Sequence, residues 1–316
     1  KLFGLSPKKW SVNVQPYSGS PANLAIYAAL VEPGSKIMGM RLDMGGHLSH
    51  GHKVSFTGKI WTPVYYGVSQ KTERLDYEEI KRIANRERPK LIIAGYTAYS
   101  RVIDFKKFRK IADEIGAILT VDMSHFAGLV AGRAYPSPFL YADVVMTTTH
   151  KTLRGPRAAL IFSKKEFSDK IDKAVFPGLQ GGPHENAIAA ISVSLKEAMS
   201  PNFRRYARQV VKNARTLARE LQKYGWRIVS GGTDSHLFLV DTYSRGISGA
   251  SAQNLLEREG IIVNKNTIPF DTRSPFDPSG IRLGTPAVTT RGLKEKDMKN
   301  IAQRINKILR NTARGV

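Results

Sequence analysis

The chain has 316 residues, of which 41% are apolar, a formal net charge of +23 and no cysteine. This length and composition allow one large domain and a smaller one, and the lack of cysteine excludes disulfides, thiolate metal sites and cysteine nucleophiles. No apolar stretch reaches the roughly 18 residues of a membrane span, and the first residues lack the apolar core of a secretory signal. We therefore expect a cytoplasmic protein that does not enter a membrane.

The positive charge is spread over several predicted amphipathic helices and is not gathered in one tail. A charge of this size attracts anions in general, but the sequence has no zinc-finger or RNP motif that would indicate nucleic acid. A solvated basic surface is the simplest interpretation. A nucleic-acid-binding protein stays an alternative.

Short apolar runs alternate with helical periodicity between residues 35 and 162, which is typical of a parallel α/β sheet. The predicted strands span residues 36–40, 90–95, 117–122, 143–148 and 158–162. Helices are predicted at 76–84 and 104–115, the second beginning after an N-cap aspartate and stopping at Gly116. The predicted fold class is α/β, with a mostly parallel sheet and helices on both faces.

A Gly- and Pro-rich segment, residues 176–187, predicts a loop at the end of this sheet domain. A long helix is expected after it. Residues 203–224 have a strongly helical pattern, short strands are predicted at 226–230, 236–241 and 261–264, and a final helix begins near Leu293. This mixture indicates a separate α+β domain. We therefore divide the chain into a large domain, 1–190, and a small C-terminal domain, 191–316, which includes the connecting helix.

Two polar segments lie where an α/β protein binds ligands. Ser18, Gly19 and Ser20 precede a helical run, and small residues, hydroxyls and a helix N-terminus together suit a phosphate group. The same residues also suit an ordinary N-cap. Asp122 ends a buried strand, at the edge where open parallel sheets bind ligands. Its carboxylate suits either a protonated pyridine nitrogen or a helix cap.

Lys151 lies in the segment TTTHKTLRGPR, directly after a predicted strand. An ammonium group beside a buried strand must be paired, neutralised or used covalently. Cationic neighbours such as His150, Arg154 or Arg157 would lower its pKa and favour the neutral amine that a Schiff base requires. We predict that Lys151 forms such a Schiff base, the alternative being a lysine that faces solvent.

Seven segments follow one another in the order found in serine hydroxymethyltransferases, and the sequence resembles that family across essentially its whole length. They are NVQPYSGSPAN, GGHLSHG, VDMSHFAGLVAG, TTTHKTLRGPR, FPGLQGGP, VNKN and SGIRLGTPAVTTRG. The resemblance implies the aspartate-aminotransferase fold, which is pyridoxal-phosphate fold type I, and an active site shared within a homodimer. The implied reaction is the reversible conversion of L-serine and tetrahydrofolate to glycine and 5,10-methylenetetrahydrofolate.

The resemblance also implies how pyridoxal 5'-phosphate is held. Lys151 would carry the cofactor and Asp122 would pair with its pyridine nitrogen, while His47 would stack on the ring. Its phenolic oxygen would lie beside His125 and Thr97. The residues implied for its phosphate are Ser18, Gly19 and Ser20 of one subunit and Gly181 and Gly182 of the neighbouring subunit.

For the substrates, the resemblance assigns the amino-acid carboxylate to Arg282 and an influence on reaction specificity to His150. No metal is implied. The residues implied for folate are Leu42, Gly46, Leu48, Asn266, Ser274, Pro275 and Phe276.

The sequence departs from the family's pattern in four places. Thr97 stands where a serine is usual, Tyr17 where a histidine is common, and Phe270 where an asparagine is common. The chain also begins inside the family's pattern, after an N-terminal arm whose glutamate and tyrosines reach the partner's active site. If the protein has no such arm, we expect cofactor binding to persist and turnover to fall.

Two other functions stay open on the sequence alone. One is a folate-independent aldolase that cleaves β-hydroxy amino acids with the same cofactor. The other is a catalytically impaired homologue that binds nucleic acid through its positive charge.

Overall fold

The computed structural model describes the backbone of residues 1–313 and the side chains of residues 1–310. The strands are β1 Trp10–Asn13, β2 Lys36–Met40, β3 Thr62–Tyr66, β4 Leu91–Gly95, β5 Ile118–Asp122, β6 Val144–Thr148, β7 Ala159–Lys164, β8 Arg227–Ile228, β9 Leu237–Asp241, β10 Asn264–Asn266 and β11 Gly280–Gly284. The helices are α1 Gly19–Leu30, α2 Phe56–Ile60, α3 Tyr77–Glu87, α4 Phe105–Ile115, α5 Ala127–Ala131, α6 Lys165–Lys173, α7 Glu185–Ala198, α8 Pro201–Lys223, α9 Gly249–Arg258, α10 Pro286–Thr290 and α11 Glu295–Ala313.

The large sheet has seven strands in the order β1-β7-β6-β5-β4-β2-β3. Strands β2 to β6 pair in parallel, whereas β7 runs antiparallel to both β6 and β1. The predicted mostly parallel sheet is confirmed. Because the parallel strands share one direction, β4, β5 and β6 end at the same edge of the sheet.

Helices cover both faces of this sheet, because successive strand side chains point to opposite sides. Met38 and Ile92 face a core that includes α3 and α4. Ile37 and Ile93 face a second core built with α1 and α6. Asp104 caps α4 by accepting a hydrogen bond from the Lys107 amide at 3.0 Å, as predicted from the sequence.

The small domain contains a four-stranded antiparallel sheet in the order β10-β11-β9-β8. Helix α8 joins the two domains, because its first half contributes Val210 and Val211 to the large core and its second half contributes Leu217 and Leu221 to the small one. Strand β11 therefore lies in a unit that is connected to the large sheet through one continuous helix.

Several local predictions were wrong. Strands β1, β3 and β11 were missed, since each has at most five residues and little apolar periodicity. The strand expected at 261–264 lies at Asn264–Asn266. Ile261 and Val263 pack on the core of the small domain instead of pairing with a strand, and Ile262 is exposed. The loop expected at 176–187 begins at Phe176 in an extended backbone conformation, but it ends early, because α7 starts at Glu185. No helix within residues 1–313 is long and apolar enough to cross a membrane.

Candidate active site

The carboxyl ends of β4, β5 and β6 open into a cavity of about 190 Å³, which we call the cofactor cavity. Residues that the sequence separates by more than 130 positions meet there. The cavity is lined by Ser18, Gly19, Ser20, His47, Tyr96, Thr97, Asp122, Ser124, His125, Thr148, His150, Lys151 and Arg157.

The N-terminus of α1 forms one wall of the cofactor cavity. Ser18 precedes the helix in extended conformation, and its hydroxyl caps no amide of the described residues. A Cβ on Gly19 would lie 2.8 Å from Cγ2 of Thr148, so only glycine fits beside β6. The first turn has no acidic residue, which leaves the helix amides and hydroxyls free for an anion.

Asp122 is buried at the end of β5, with 6% of its surface exposed. Its Oδ2 accepts hydrogen bonds from Asn23 at 3.0 Å and from His50 Nε2 at 3.1 Å, and its Oδ1 accepts one from the Ser124 amide at 3.0 Å. Burial alone would raise its pKa, but the hydrogen bond and charge of His50, together with His47, hold the pKa of this carboxyl well below its usual range. The site therefore presents a fixed carboxylate.

Lys151 lies three residues beyond β6, and its Nζ donates a hydrogen bond to Thr148 Oγ1 at 3.3 Å. Burial lowers its pKa from the usual value; Arg282 and Arg157 act in the same direction, whereas Asp122 opposes them. The sequence predicted the direction of this shift but not all of its causes.

Two of the expected cationic neighbours act differently. Arg154 has a left-handed backbone, with φ of 66°, and its guanidinium lies 4.7 Å from the centre of the Tyr206 ring. His150 has its own pKa lowered by burial and by Lys151 and Arg157, so it is neutral near pH 7.

His47 is fixed at the cavity by Ser49, whose Oγ lies 2.7 Å from its Nδ1. Burial and the charge of His50 lower the pKa of His47 to about 4. Ser49 Oγ also accepts a hydrogen bond from Asn23 at 2.8 Å, and Asn23 contacts Asp122. A neutral imidazole ring and the carboxylate are therefore joined in one hydrogen-bond network.

Arg282 lies on β11 and reaches the large sheet from the small domain. Its Nη1 donates to the Thr97 carbonyl at 3.0 Å and its Nε to Asn264 Oδ1 at 3.1 Å. It lines a second cavity, of about 850 Å³, which shares His125, His150 and Lys151 with the cofactor cavity. These two bonds leave Nη2 without a partner among the described residues, available for an anionic group.

Comparison with known proteins supplies the family. The family model for serine hydroxymethyltransferase matches residues 1–305. The chain belongs to the serine hydroxymethyltransferase family. A serine hydroxymethyltransferase from Acidothermus cellulolyticus is 55% identical over 315 residues, which is 100% of this chain and 73% of that protein. One from Acidobacterium capsulatum is 55% identical over 303 residues, or 96% of this chain and 70% of that protein.

Serine hydroxymethyltransferases are pyridoxal-phosphate-dependent transferases, so this chain is an enzyme of that class. The match supports this function rather than the aldolase or the nucleic-acid-binding homologue that the sequence had left open. Membership also confirms pyridoxal-phosphate fold type I.

The donors of the cofactor cavity fit pyridoxal phosphate. An anion site at a helix N-terminus, a fixed carboxylate and an amine with a lowered pKa are the three groups that its phosphate, pyridine nitrogen and aldehyde require. Thr97 Oγ1 is buried and has no hydrogen-bond partner among the described residues, which leaves it free for the phenolic oxygen. The threonine thus keeps the hydroxyl that serine usually supplies in serine hydroxymethyltransferases.

The residues expected to bind folate lie outside the cofactor cavity, and all of them except Gly46 and Asn266 are exposed. Leu42 and Pro275 border a separate cavity of about 580 Å³. Leu48 and Phe276 are exposed, by 44% and 84%. Gly46 is buried, and a Cβ there would lie 2.0 Å from the Met40 carbonyl oxygen, so glycine is required by the close approach of the chain.

The two glycines expected in a neighbouring subunit's site lie on an exposed turn. Apart from their chain neighbours, no atom of the described residues lies within 4 Å of a Cβ built on Gly181 or Gly182. Tyr17 donates a hydrogen bond to the Gly182 carbonyl at 2.8 Å and its ring lies 4.5 Å from that of His184. Tyr17 therefore anchors this turn.

Phe270, the third side-chain departure, adopts a left-handed backbone with φ of 61°. Asparagine tolerates this conformation better than phenylalanine does. The left-handed backbone at this position therefore favours asparagine, the residue that is common in the family, over phenylalanine.

Sequence reasoning missed several residues of the site. Asn23 and His50 hold Asp122 from 99 and 72 residues away, and no local pattern links them to it. His236, just before β9, lines the second cavity and stacks on His125, with ring centres 5.8 Å apart. Thr148 had a usable signal, because it lies in the same TTTHK segment as Lys151.

Proposed function

We propose that the cofactor cavity binds pyridoxal 5'-phosphate through Lys151 and that the second cavity binds serine or glycine through Arg282. The observation that carries the proposal is the pairing of a half-buried amine of lowered pKa with a buried, ionised carboxylate, both of which line the same cavity at neighbouring strand ends. Perturbed pairs of this kind in a cleft are typical of catalytic sites.

When bound, pyridoxal phosphate supplies an electron sink for the bond broken at the amino acid's α-carbon. Asp122 holds a proton on the pyridine nitrogen, since its carboxylate is ionised and fixed by three hydrogen bonds. Ser18, Gly19 and Ser20 hold the phosphate at the start of α1, and His47 offers a neutral ring for stacking.

Arg282 fixes the carboxylate of the amino acid, so that the side-chain hydroxymethyl group is oriented for transfer. His125, His150 and Lys151 border both cavities, which places them between cofactor and substrate. His125 and His150 both have pKa values lowered, first by burial, so each acts as a neutral ring that can accept or donate a proton.

Tetrahydrofolate is proposed as the acceptor of the one-carbon unit. The surface formed by Leu42, Gly46, Leu48, Asn266 and residues 274–276 is its proposed contact, which we call the folate surface. Its exposed apolar side chains suit the flat pteridine and benzoyl rings.

We further propose a cytoplasmic homodimer in which Gly181 and Gly182 contribute to the neighbouring subunit's phosphate site. The exposed glycine turn supports this, because the space around a Cβ built on either glycine is open among the described residues of the same subunit. Light scattering during size-exclusion chromatography checks the dimer; a monomer at micromolar concentration would contradict it.

The function is tested with purified protein, pyridoxal phosphate and serine, with and without tetrahydrofolate. We expect a visible absorption band from bound cofactor and folate-dependent formation of glycine and 5,10-methylenetetrahydrofolate. Cleavage of β-hydroxy amino acids with no effect of folate would favour an aldolase. No absorption band, together with salt-dependent RNA binding, would favour the nucleic-acid-binding homologue.

A further inference from the structure

Ser230 of the small domain is held through all of its polar groups by the large domain. Its amide donates to Glu73 Oε2 at 2.7 Å, and its carbonyl accepts from Arg101 Nη2 at 2.6 Å. Its hydroxyl lies 3.0 Å from Ser100 Oγ and accepts from Arg101 Nε at 3.2 Å. Only 6% of Ser230 is exposed, so these bonds are shielded from water.

The backbone on both sides of this contact is unusual. Ser230 has φ of 57° and Glu73 has φ of 53°, both in the left-handed region that residues with a Cβ avoid. Such conformations persist where the surroundings determine them, and they concentrate at functional positions. The two residues meet directly, so each fixes the other.

Further bonds extend the contact toward the small sheet. Arg101 Nη1 lies 3.3 Å from Asp234 Oδ1, and the Asp234 amide donates to the Ser100 carbonyl at 2.9 Å. Glu73 also accepts a hydrogen bond from Arg227, at the start of β8, at 2.8 Å. Ala98, Val229, Leu239 and Ile268 form a small apolar cluster at the same boundary. We call this whole set of contacts the Ser230 latch.

The loop that carries Ser100 and Arg101 also belongs to the cofactor cavity. Tyr96 and Thr97 line that cavity, and the Thr97 carbonyl accepts the bond from Arg282. On the small-domain side, Leu239 of β9 pairs directly with Arg282 of β11. The same loop therefore contacts the small domain at two places. Ser100 and Arg101 bind Ser230, and the carbonyl of Thr97 binds Arg282.

We propose that Ser230 and Arg101 are positioning residues that set where the Arg282 guanidinium lies relative to Lys151. The inference rests on the proposed role of Arg282 as the carboxylate ligand. Loss of the latch would let the small domain shift on the large one, and a shift of about 1 Å at a substrate-orienting group can lower activity by up to a hundred-fold. The cofactor contacts, which lie on the large domain, would be kept.

The test uses Arg101→Lys and Ser230→Gly. Lysine keeps the charge of Arg101 but cannot make its three separate contacts, and glycine keeps the left-handed backbone of residue 230 while removing the hydroxyl. Arg82→Lys is the matched control, because Arg82 also uses two nitrogens on one carboxylate, that of Glu79, at 2.8 and 2.7 Å, but lies exposed on α3.

We expect Arg101→Lys to raise the KM for serine by about ten-fold while kcat changes by less than about three-fold, with a smaller rise for Ser230→Gly. The affinity for pyridoxal phosphate should stay unchanged. In the cofactor-free protein, amides of β9 and β11 should exchange hydrogen faster than in the wild type and in Arg82→Lys.

An unchanged KM for serine in both latch variants, with only a lower melting temperature, would overturn the inference and leave a purely structural contact. So would an equal loss of cofactor affinity and serine affinity. If Arg101→Lys does not fold, the inference is tested with Ser230→Gly alone, by the same measurements of the KM for serine and of hydrogen exchange. Failure of the proposed function itself is distinct, because the wild type would then lack the cofactor absorption band.

Discussion

The cofactor cavity and the folate surface of this enzyme are built in opposite ways. Asp122 in the cavity is 6% exposed and has three hydrogen-bond donors, whereas Phe276 on the folate surface is 84% exposed. The cavity uses the ends of packed parallel strands, whereas the proposed folate surface uses turns and loops together with Asn266 at the end of β10.

The difference indicates which part of the reaction the fold prepares in advance. Buried groups with fixed partners keep their charge states and positions before any ligand arrives, which is the condition for electrostatic catalysis. Exposed apolar side chains contribute to binding mainly by removing apolar area from water. Substitutions in the cavity should therefore act on chemistry, and substitutions on the folate surface on affinity.

The largest effect is expected for Asp122→Asn. The amide removes the negative charge and presents a donor to Asn23 and His50, which themselves donate to this position. We expect kcat to fall by about a hundred-fold or more, with the cofactor still bound.

Asp143→Asn provides the control for this variant. Asp143 is a carboxylate, 8% exposed, that directly precedes β6; it is held by Arg109 and Lys164 and lies outside the cavity. The Asp143→Asn variant should have a lower free energy of unfolding than the wild type but the same kcat per folded molecule. A kcat in Asp122→Asn equal to that of the control would show that the cavity carboxylate has no catalytic role.

Arg282→Lys should produce the next largest effect, on the KM for serine. Arg282 lines the second cavity, next to the cofactor cavity. The lysine loses the planar geometry that binds carboxylate with two nitrogens, so the KM for serine should rise by about ten- to hundred-fold. The KM for tetrahydrofolate should change little. The control is Arg258→Lys, since Arg258 is exposed at the end of α9. Similar KM values for serine in both variants would show that Arg282 does not bind serine.

Acid should lower the free energy of unfolding of the protein through His236, which lines the second cavity. Burial, Arg282 and Lys151 lower the pKa of His236 from 6.5 to about 3. The folded state therefore binds fewer protons than the unfolded state in this window, and stability falls as the pH drops from about 6.5 toward 3. For His236 the loss between pH 6.5 and 4 is at most about 3 kcal/mol.

Urea unfolding at several pH values checks this with His236→Asn. The variant should show a flatter decline between pH 6.5 and 4 than the wild type, and His184→Asn, at an exposed histidine, should follow the wild type. Parallel curves for the wild type and His236→Asn would contradict the assignment of acid sensitivity to this ring.

The smallest effect is expected on the folate surface. Phe276→Ala removes an exposed apolar ring and should raise the KM for tetrahydrofolate by about five-fold, leaving the KM for serine and the cofactor spectrum unchanged. Leu140→Ala, 85% exposed elsewhere on the large domain, is the control. A change in kcat without a change in the KM for folate would place Phe276 in the chemistry and break the contrast between the two regions.

The sequence was most informative for functional residues that directly follow a predictable strand. Asp122 and Lys151 stand at strand ends that apolar runs predict, so their meeting at one sheet edge could be anticipated. The ligands of Asp122 could not, because Asn23 and His50 come from distant segments and are brought to it only by packing.

Side-chain direction was also beyond sequence reasoning. Arg154 stands three residues after Lys151, yet its guanidinium lies over the Tyr206 ring, whereas Arg282 of the other domain lowers the pKa of Lys151 by its charge. The short strands β1, β3 and β11 were missed because they gain their stability from pairing with neighbouring strands rather than from their own pattern.

The most direct test of the account is to find which lysine carries the cofactor. The protein loaded with pyridoxal phosphate is reduced with borohydride, digested and mapped by mass spectrometry, with Lys151→Arg as the matched control. We expect the added cofactor mass on the peptide that contains Lys151, and none in the variant, because this amine has a lowered pKa beside the ionised Asp122. Stoichiometric labelling of a different lysine, or equal labelling of the variant, would contradict the account.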